Sequence, residues 1–171
     1  MKNNITLIGM MGCGKTTTAQ ILSKVLPGFT LVDIDEEIEK STGKKISEIF
    51  LKYGEPHFRE LEINKIKQFT QGDNQIISAG GGAFEDPDNR RRLLENSKVF
   101  FLKASPATIY ERIKAENHRP LLRKNFSVEK IAHILSLREN NYKKANYIID
   151  TDKKSPALVA GEIMGVINAK S

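Results

Sequence analysis

One stretch near the N-terminus, Gly9-Met10-Met11-Gly12-Cys13-Gly14-Lys15-Thr16, constrains this chain more than any other. It fits the spacing G-x-x-x-x-G-K-[ST] and stands between a short apolar run, Ile5–Ile8, and a helical pattern over Lys15–Leu26 that Pro27-Gly28 stops. A strand that feeds a glycine loop and then a helix is the opening unit of a parallel α/β sheet. Glycines let backbone N–H groups wrap closely around an anion, and the helix adds the positive end of its dipole. Lys15 would reach the β- and γ-phosphates and the Thr16 hydroxyl would bind Mg²⁺, so the stretch reads as a nucleoside triphosphate site. Cys13 reads as a small filler within the loop; the alternative is a thiol of lowered pKa at the helix N-terminus.

The rest of the chain continues the alternation. Strand-like runs at Leu31-Val32, Gln75–Ser78, Val99–Leu102 and Tyr147–Ile149 each precede a loop or helix start, which predicts an α/β fold with a mainly parallel sheet. Asp86-Pro87, Ser105-Pro106 and Ser155-Pro156 read as helix starts, a capping side chain followed by a proline with no N–H to satisfy. Two helical patterns between residues 46 and 69 are split by Gly54-Glu55-Pro56; Phe58, Leu61, Ile66 and Phe69 share a face of the second. A length of 171 residues fits one domain, 1–171.

Composition narrows the function classes. The 27 Lys and Arg outnumber the 21 Asp and Glu, giving a net charge of +6 that suits handling of anionic small molecules. Aromatics are not interleaved with a basic stripe, which argues against nucleic acid; Arg90-Arg91-Arg92 is expected on the solvated face of a helix. The single cysteine excludes an internal disulfide framework, and His57, His118 and His133 form no metal spacing. No apolar run approaches the ~20 residues of a membrane helix, and no signal-peptide cleavage site follows Met1. The expectation is a cytoplasmic protein.

Several constellations narrow the acceptor. Asn64-Lys65 is followed by Ile66-Lys67 rather than x-Asp, so the guanine-reading N-K-x-D of a GTPase is missing. Asp33-Ile34-Asp35 puts two carboxylates at a strand end, able to serve a metal shell and an acceptor hydroxyl; the plainer reading has Asp35 capping the next helix. Arg59 lies beside Phe58 and three residues before Glu62, so its planar fork could grip a carboxylate while Glu62 holds it. The same spacing also fits an exposed ion pair worth a few tenths of a kcal/mol. Gly80-Gly81-Gly82 directly after a strand would leave backbone amides open to a hydroxylated ligand.

Together these elements resemble the shikimate kinases. The match runs, in order, through Gly9–Thr16, Asp33-x-Asp35-x-x-Ile38-Glu39, Ile46–Phe50, Gly54-Glu55 with Phe58-Arg59 and Glu62, Gly80–Gly82, Arg119-Pro120-Leu121-Leu122, and Arg138 with Tyr142. The resemblance implies a three-layer αβα P-loop kinase fold with a five-stranded parallel sheet, an acceptor-binding excursion over about 34–62 and a lid over about 115–126. It implies transfer of the γ-phosphoryl group of ATP to the 3-hydroxyl of shikimate, with Mg²⁺, in chorismate and aromatic amino acid biosynthesis. Lys15, Asp35 and Arg119 would be catalytic. Gly12, Cys13, Gly14, Lys15, Thr16 and Thr17 would hold the phosphates, with Arg119 closing over them and Arg112 and Pro156 flanking adenine. Asp35, Arg59, Gly80, Gly81, Gly82 and Arg138 would bind shikimate. Thr16, and Asp33 through water, would hold the metal. Where the family often has R-x-P-x-Y, this chain has Asn140 in the proline position. The implied enzyme is a monomer acting on small molecules, without nucleic acid or membrane. The competing readings are another small-acceptor kinase, such as a gluconate or nucleotide kinase, and a nucleotide-dependent binding module without catalysis.

Overall fold

Five short apolar runs form five parallel strands in the computed structural model, which describes residues 2–115 and 127–169. The elements run β1 (Asn4–Ile8), α1 (Lys15–Val25), β2 (Thr30–Asp33), α2 (Ile34–Thr42), α3 (Ile46–Phe69), β3 (Gln75–Ser78), α4 (Pro87–Asn96), β4 (Ser97–Lys103), α5 (Pro106–Ala115), α6 (Val128–Tyr142), β5 (Tyr147–Asp150) and α7 (Pro156–Asn168). The sheet order is β2-β3-β1-β4-β5. Every residue of β1 is buried, because helices cover both faces of a parallel sheet and no polar alternation is needed. On one face pack Leu22 of α1, Ile109 of α5, Ile131 of α6 and Ile163 of α7. On the other pack Ile38 of α2, Phe58 and Ile66 of α3, and Leu93 of α4. This is the three-layer αβα architecture expected.

Strand register places the site. Leu7 pairs with Ser78, and Ser78 in turn with Asp33, while Ile8 pairs with Phe101 and Lys103 with Asp150. All five strands therefore end on one side, where the loops after β1, β2, β3 and β5 meet, as expected for ligands at the carboxyl ends of a parallel sheet.

The expected helix starts are capped as the sequence indicates. The side chains of Asp86, Ser105 and Ser155 accept from the N–H groups of Asn89, Thr108 and Leu158. The two helical patterns over 46–69 join into one element bent at Gly54, whose φ of 80° and ψ of 171° break the helix. β4 starts earlier than predicted, at Ser97, because its polar start is paired inside: Ser97 Oγ lies 2.8 Å from Thr6 Oγ1 and donates to the Leu93 carbonyl at 2.6 Å. The arginine cluster is not uniformly solvated. Arg91 is exposed between Asp88 and Glu95, whereas Arg90 turns inward and donates to the carbonyls of Phe84 and Glu85.

Candidate active site

The loop after β1 closes on itself, with the Cys13 N–H donating to the Met10 carbonyl at 3.2 Å. Gly14 precedes α1 with φ 99° and no side chain caps the helix start, so its first N–H groups stay available to an anion. Gly9 has φ 141°, and a Cβ there would lie 2.8 Å from Cys13 Sγ. Cys13 is thus a buried packing group of the loop, 3.8 Å from Lys15 Nζ. Lys15 folds back over the loop, donating to the carbonyls of Gly9 at 2.8 Å and Met10 at 3.1 Å.

A cleft of about 440 Å³ runs from this loop in two directions. Toward β5 it is bounded by Arg112, Thr151, Lys154 and Pro156. Arg112 is fixed there, one nitrogen donating to the Cys13 carbonyl and to Thr151 Oγ1, both at 3.1 Å, the other to the Thr151 carbonyl at 2.8 Å. Toward β2 and β3 the cleft reaches Asp33, Asp35, Gly80 and Gly81, with Thr16 and Thr17 at its wall. Asp33, not Asp35, caps α2: its Oδ1 accepts from the N–H groups of Asp35 and Glu36, while its Oδ2 accepts from the Thr16 hydroxyl at 3.3 Å. A hydroxyl and a carboxylate oxygen side by side at the phosphate loop form the hard-oxygen donor set that suits Mg²⁺, which keeps most of its waters.

Next to this lies the cluster around Arg59. Arg59 is gripped from two directions, donating to Glu62 Oε2 at 2.8 Å and through Nη2 and Nε to Glu55 Oε1 at 2.9 and 3.2 Å. The alternative of an exposed ion pair fails because Glu62 is only 1% exposed. Burial pushes the Glu62 carboxyl above its ordinary range, against the opposing pull of Arg59, and nearby Asp35 pushes the same way.

The triple glycine is explained by close approach rather than unusual backbone angles, since none of the three has positive φ. A Cβ on Gly80 would lie 2.8 Å from Glu62 Oε1 and 3.4 Å from Asp35 Oδ1; on Gly82, 2.5 Å from Arg59 Nη2; on Gly81, 3.4 Å from Arg138 Nη1 and 3.5 Å from the Gly9 carbonyl. Asp35, Arg59 and Arg138 therefore converge on one turn that also touches the phosphate loop. Arg119 lies outside the described residues.

The family model for shikimate kinase matches residues 11–168. The chain belongs to the shikimate kinase family. It is 44% identical over 161 residues to the shikimate kinase of Thermodesulfovibrio yellowstonii, covering 94% of this chain and 92% of the relative. It is 43% identical over 164 residues to that of Persephonella marina, covering 96% and 98%. A solved structure of Acinetobacter baumannii shikimate kinase in complex with shikimate superimposes with a TM-score of 0.91 at 32% identity, over 100% of this chain and 96% of that one.

Set on this shikimate kinase fold, the structure adds residues that sequence reasoning assigned no role. Glu55 supplies the second grip on Arg59, a partner that its i, i+4 spacing could have signalled. Tyr142 is fully buried, its hydroxyl donates to the Gly81 carbonyl, and its ring stacks on Phe101 at 4.8 Å. Burial pushes its pKa up to about 12. Thr151 anchors Arg112, a contact 39 residues apart in sequence and without a local signal. Among the described residues no cluster of three His, Cys, Asp or Glu could hold a metal, and no helix is long and apolar enough to cross a membrane.

Proposed function

We infer that this chain transfers the γ-phosphoryl group of ATP to the 3-hydroxyl of shikimate, giving shikimate 3-phosphate and ADP, a step of aromatic amino acid biosynthesis. The observation that carries the reading is the meeting of Asp35, Arg59 and Arg138 on the Gly80–Gly82 turn beside the phosphate loop. Two guanidinium forks suit a carboxylate, glycine backbone suits ring hydroxyls, and a carboxylate beside the phosphates suits the attacking hydroxyl.

This placement supports the following roles for the described residues. Lys15 exchanges the carbonyls of Gly9 and Met10 for phosphate oxygens, and the free N–H groups of α1 complete the cradle with Gly12, Cys13 and Gly14. Thr16, with Asp33 through water, would hold Mg²⁺, which when bound neutralises phosphate charge. Asp35 orients the acceptor hydroxyl and takes its proton. Glu62 and Glu55 keep the Arg59 fork in one orientation, so less entropy is lost when a carboxylate binds. Arg112 and Pro156 flank adenine on the β5 side. Arg119 and the lid implied over about 115–126 lie outside the described residues; by family resemblance Arg119 would supply further positive charge at the phosphates. Residues 1–171 act as one kinase domain, with residues 34–62 as its acceptor-binding excursion. The reading is of a monomeric enzyme in the cytoplasm, acting without nucleic acid or membrane.

ADP production from Mg·ATP, measured with shikimate, gluconate or a nucleoside monophosphate, tests the reading; release that depends on shikimate is expected. Lys15→Ala and Asp35→Ala should each lower kcat at least 100-fold, about 2.7 kcal/mol of barrier. Turnover close to wild type in either would overturn the assigned roles.

A further inference from the structure

Helix ends fray unless something outside the helix holds them, and the acceptor-binding Arg138 sits in the last turns of α6. Arg138, Asn141 and Tyr142 occupy i, i+3 and i+4, so they share one face of that helix. Two of the three are tied to the segment after β3. The Tyr142 hydroxyl donates to the Gly81 carbonyl, and Asn141 Nδ2 donates to Glu85 Oε2 at 3.0 Å. Glu85 is folded back on the glycine turn, its N–H donating to the Gly82 carbonyl at 3.1 Å. With Arg59, Glu62 and Arg138, Glu85 lines a cavity of about 210 Å³. Glu85 Oε1 is buried and has no hydrogen-bond partner among the described residues.

We propose that Glu85 and Asn141 form a positioning link: the hydrogen bond between them pins the last turn of α6 to the glycine turn and holds Arg138 in place for the acceptor carboxylate. Tyr142 holds the helix end through its ring on Phe101 and its hydroxyl on Gly81. The bond from the adjacent Asn141 to a side chain three residues past Gly82 adds an independent tie to the same turn. In this link both residues act through Arg138, three and four residues from the contacts that Asn141 and Tyr142 make. The inference rests on the functional reading above.

Steady-state kinetics on Glu85→Ala, Glu85→Gln, Asn141→Ala and the double alanine variant test it. Glu85→Ala and Asn141→Ala should each raise KM for shikimate about tenfold, while KM for ATP and kcat stay within about twofold. Glu85→Gln keeps an acceptor oxygen and should stay within about twofold of wild type. The double variant should be no worse than either single one, because both remove the same bond. Unchanged KM for shikimate in both alanine variants, equal rises in the two KM values, additive losses, or a glutamine variant as impaired as the alanine one would each overturn the link. Should Glu85→Ala fail to fold, Asn141→Ala reads the same bond from its other end. A wild-type protein with no shikimate-dependent ADP release would defeat the functional reading itself; an active wild type with indifferent variants defeats only the link.

Discussion

Gly82 has no room for a side chain, because a Cβ there would lie 2.5 Å from Arg59 Nη2. Gly82→Ala must push the guanidinium away from Glu62 and Glu55, and misplacing a binding fork by an ångström costs heavily. KM for shikimate should rise on the order of 10- to 100-fold, with KM for ATP unchanged. Tyr142 supplies a second residue-scale test. Its neutral form is favoured in the folded state, with a pKa of about 12 against an ordinary 10.0. Between those values the folded protein binds the proton that the unfolded chain has lost, so stability is intact below about pH 10 and falls as pH rises above it. Urea unfolding from about pH 9 to 11 should show this decline in wild type and lack that component in Tyr142→Phe. The chain has no tryptophan, so a tyrosinate absorbance component titrating near 12, absent from Tyr142→Phe, would report the same group.

Among the elements, α3 depends most on a single backbone position. Its first half carries Ile49 and Phe50, its second half Phe58, Arg59 and Glu62, and the bend at Gly54 sets the angle between them. Phe50 packs on Phe58 at 4.7 Å, and the Arg59 guanidinium lies 5.3 Å from the Phe58 ring. A φ of 80° with ψ of 171° is a region that residues with a Cβ avoid, so Gly54→Ala should destabilise the protein by roughly 1–3 kcal/mol. Re-aiming the second half of α3 should also raise KM for shikimate without changing KM for ATP. Chemical unfolding and paired KM measurements check the two effects. The glycine and proline that mark this bend were legible in the sequence. Its consequence was not, because the direction of a bend is set by what the two halves pack against.

The described residues form one sheet with ligand sites along its carboxyl end, so binding at either side should stabilise the same cooperative unit. Thermal unfolding is expected to show a single transition. ADP with Mg²⁺, or shikimate, at about 100 times its Kd should add roughly 2.7 kcal/mol. Arg59→Ala should keep the ADP-induced rise in Tm and lose the shikimate-induced one. Two separate transitions would contradict the reading of residues 1–171 as one domain.

The local parts of this protein were written in the sequence: the phosphate loop, the strand cores, the caps at Asp86, Ser105 and Ser155, and the bend at Gly54. Each depends on neighbours within a few residues, through backbone angles, hydrogen-bond reach and helical spacing. Tertiary structure decided which long-range groups came together and which were buried. Glu62 at 1% exposure, Thr16 beside Asp33, and the approach of Arg59 and Arg138 to the triple glycine all follow from strand register and helix packing. Side-chain spacing along a chain defines a helix face or a strand edge, but only the packed fold determines what that face meets.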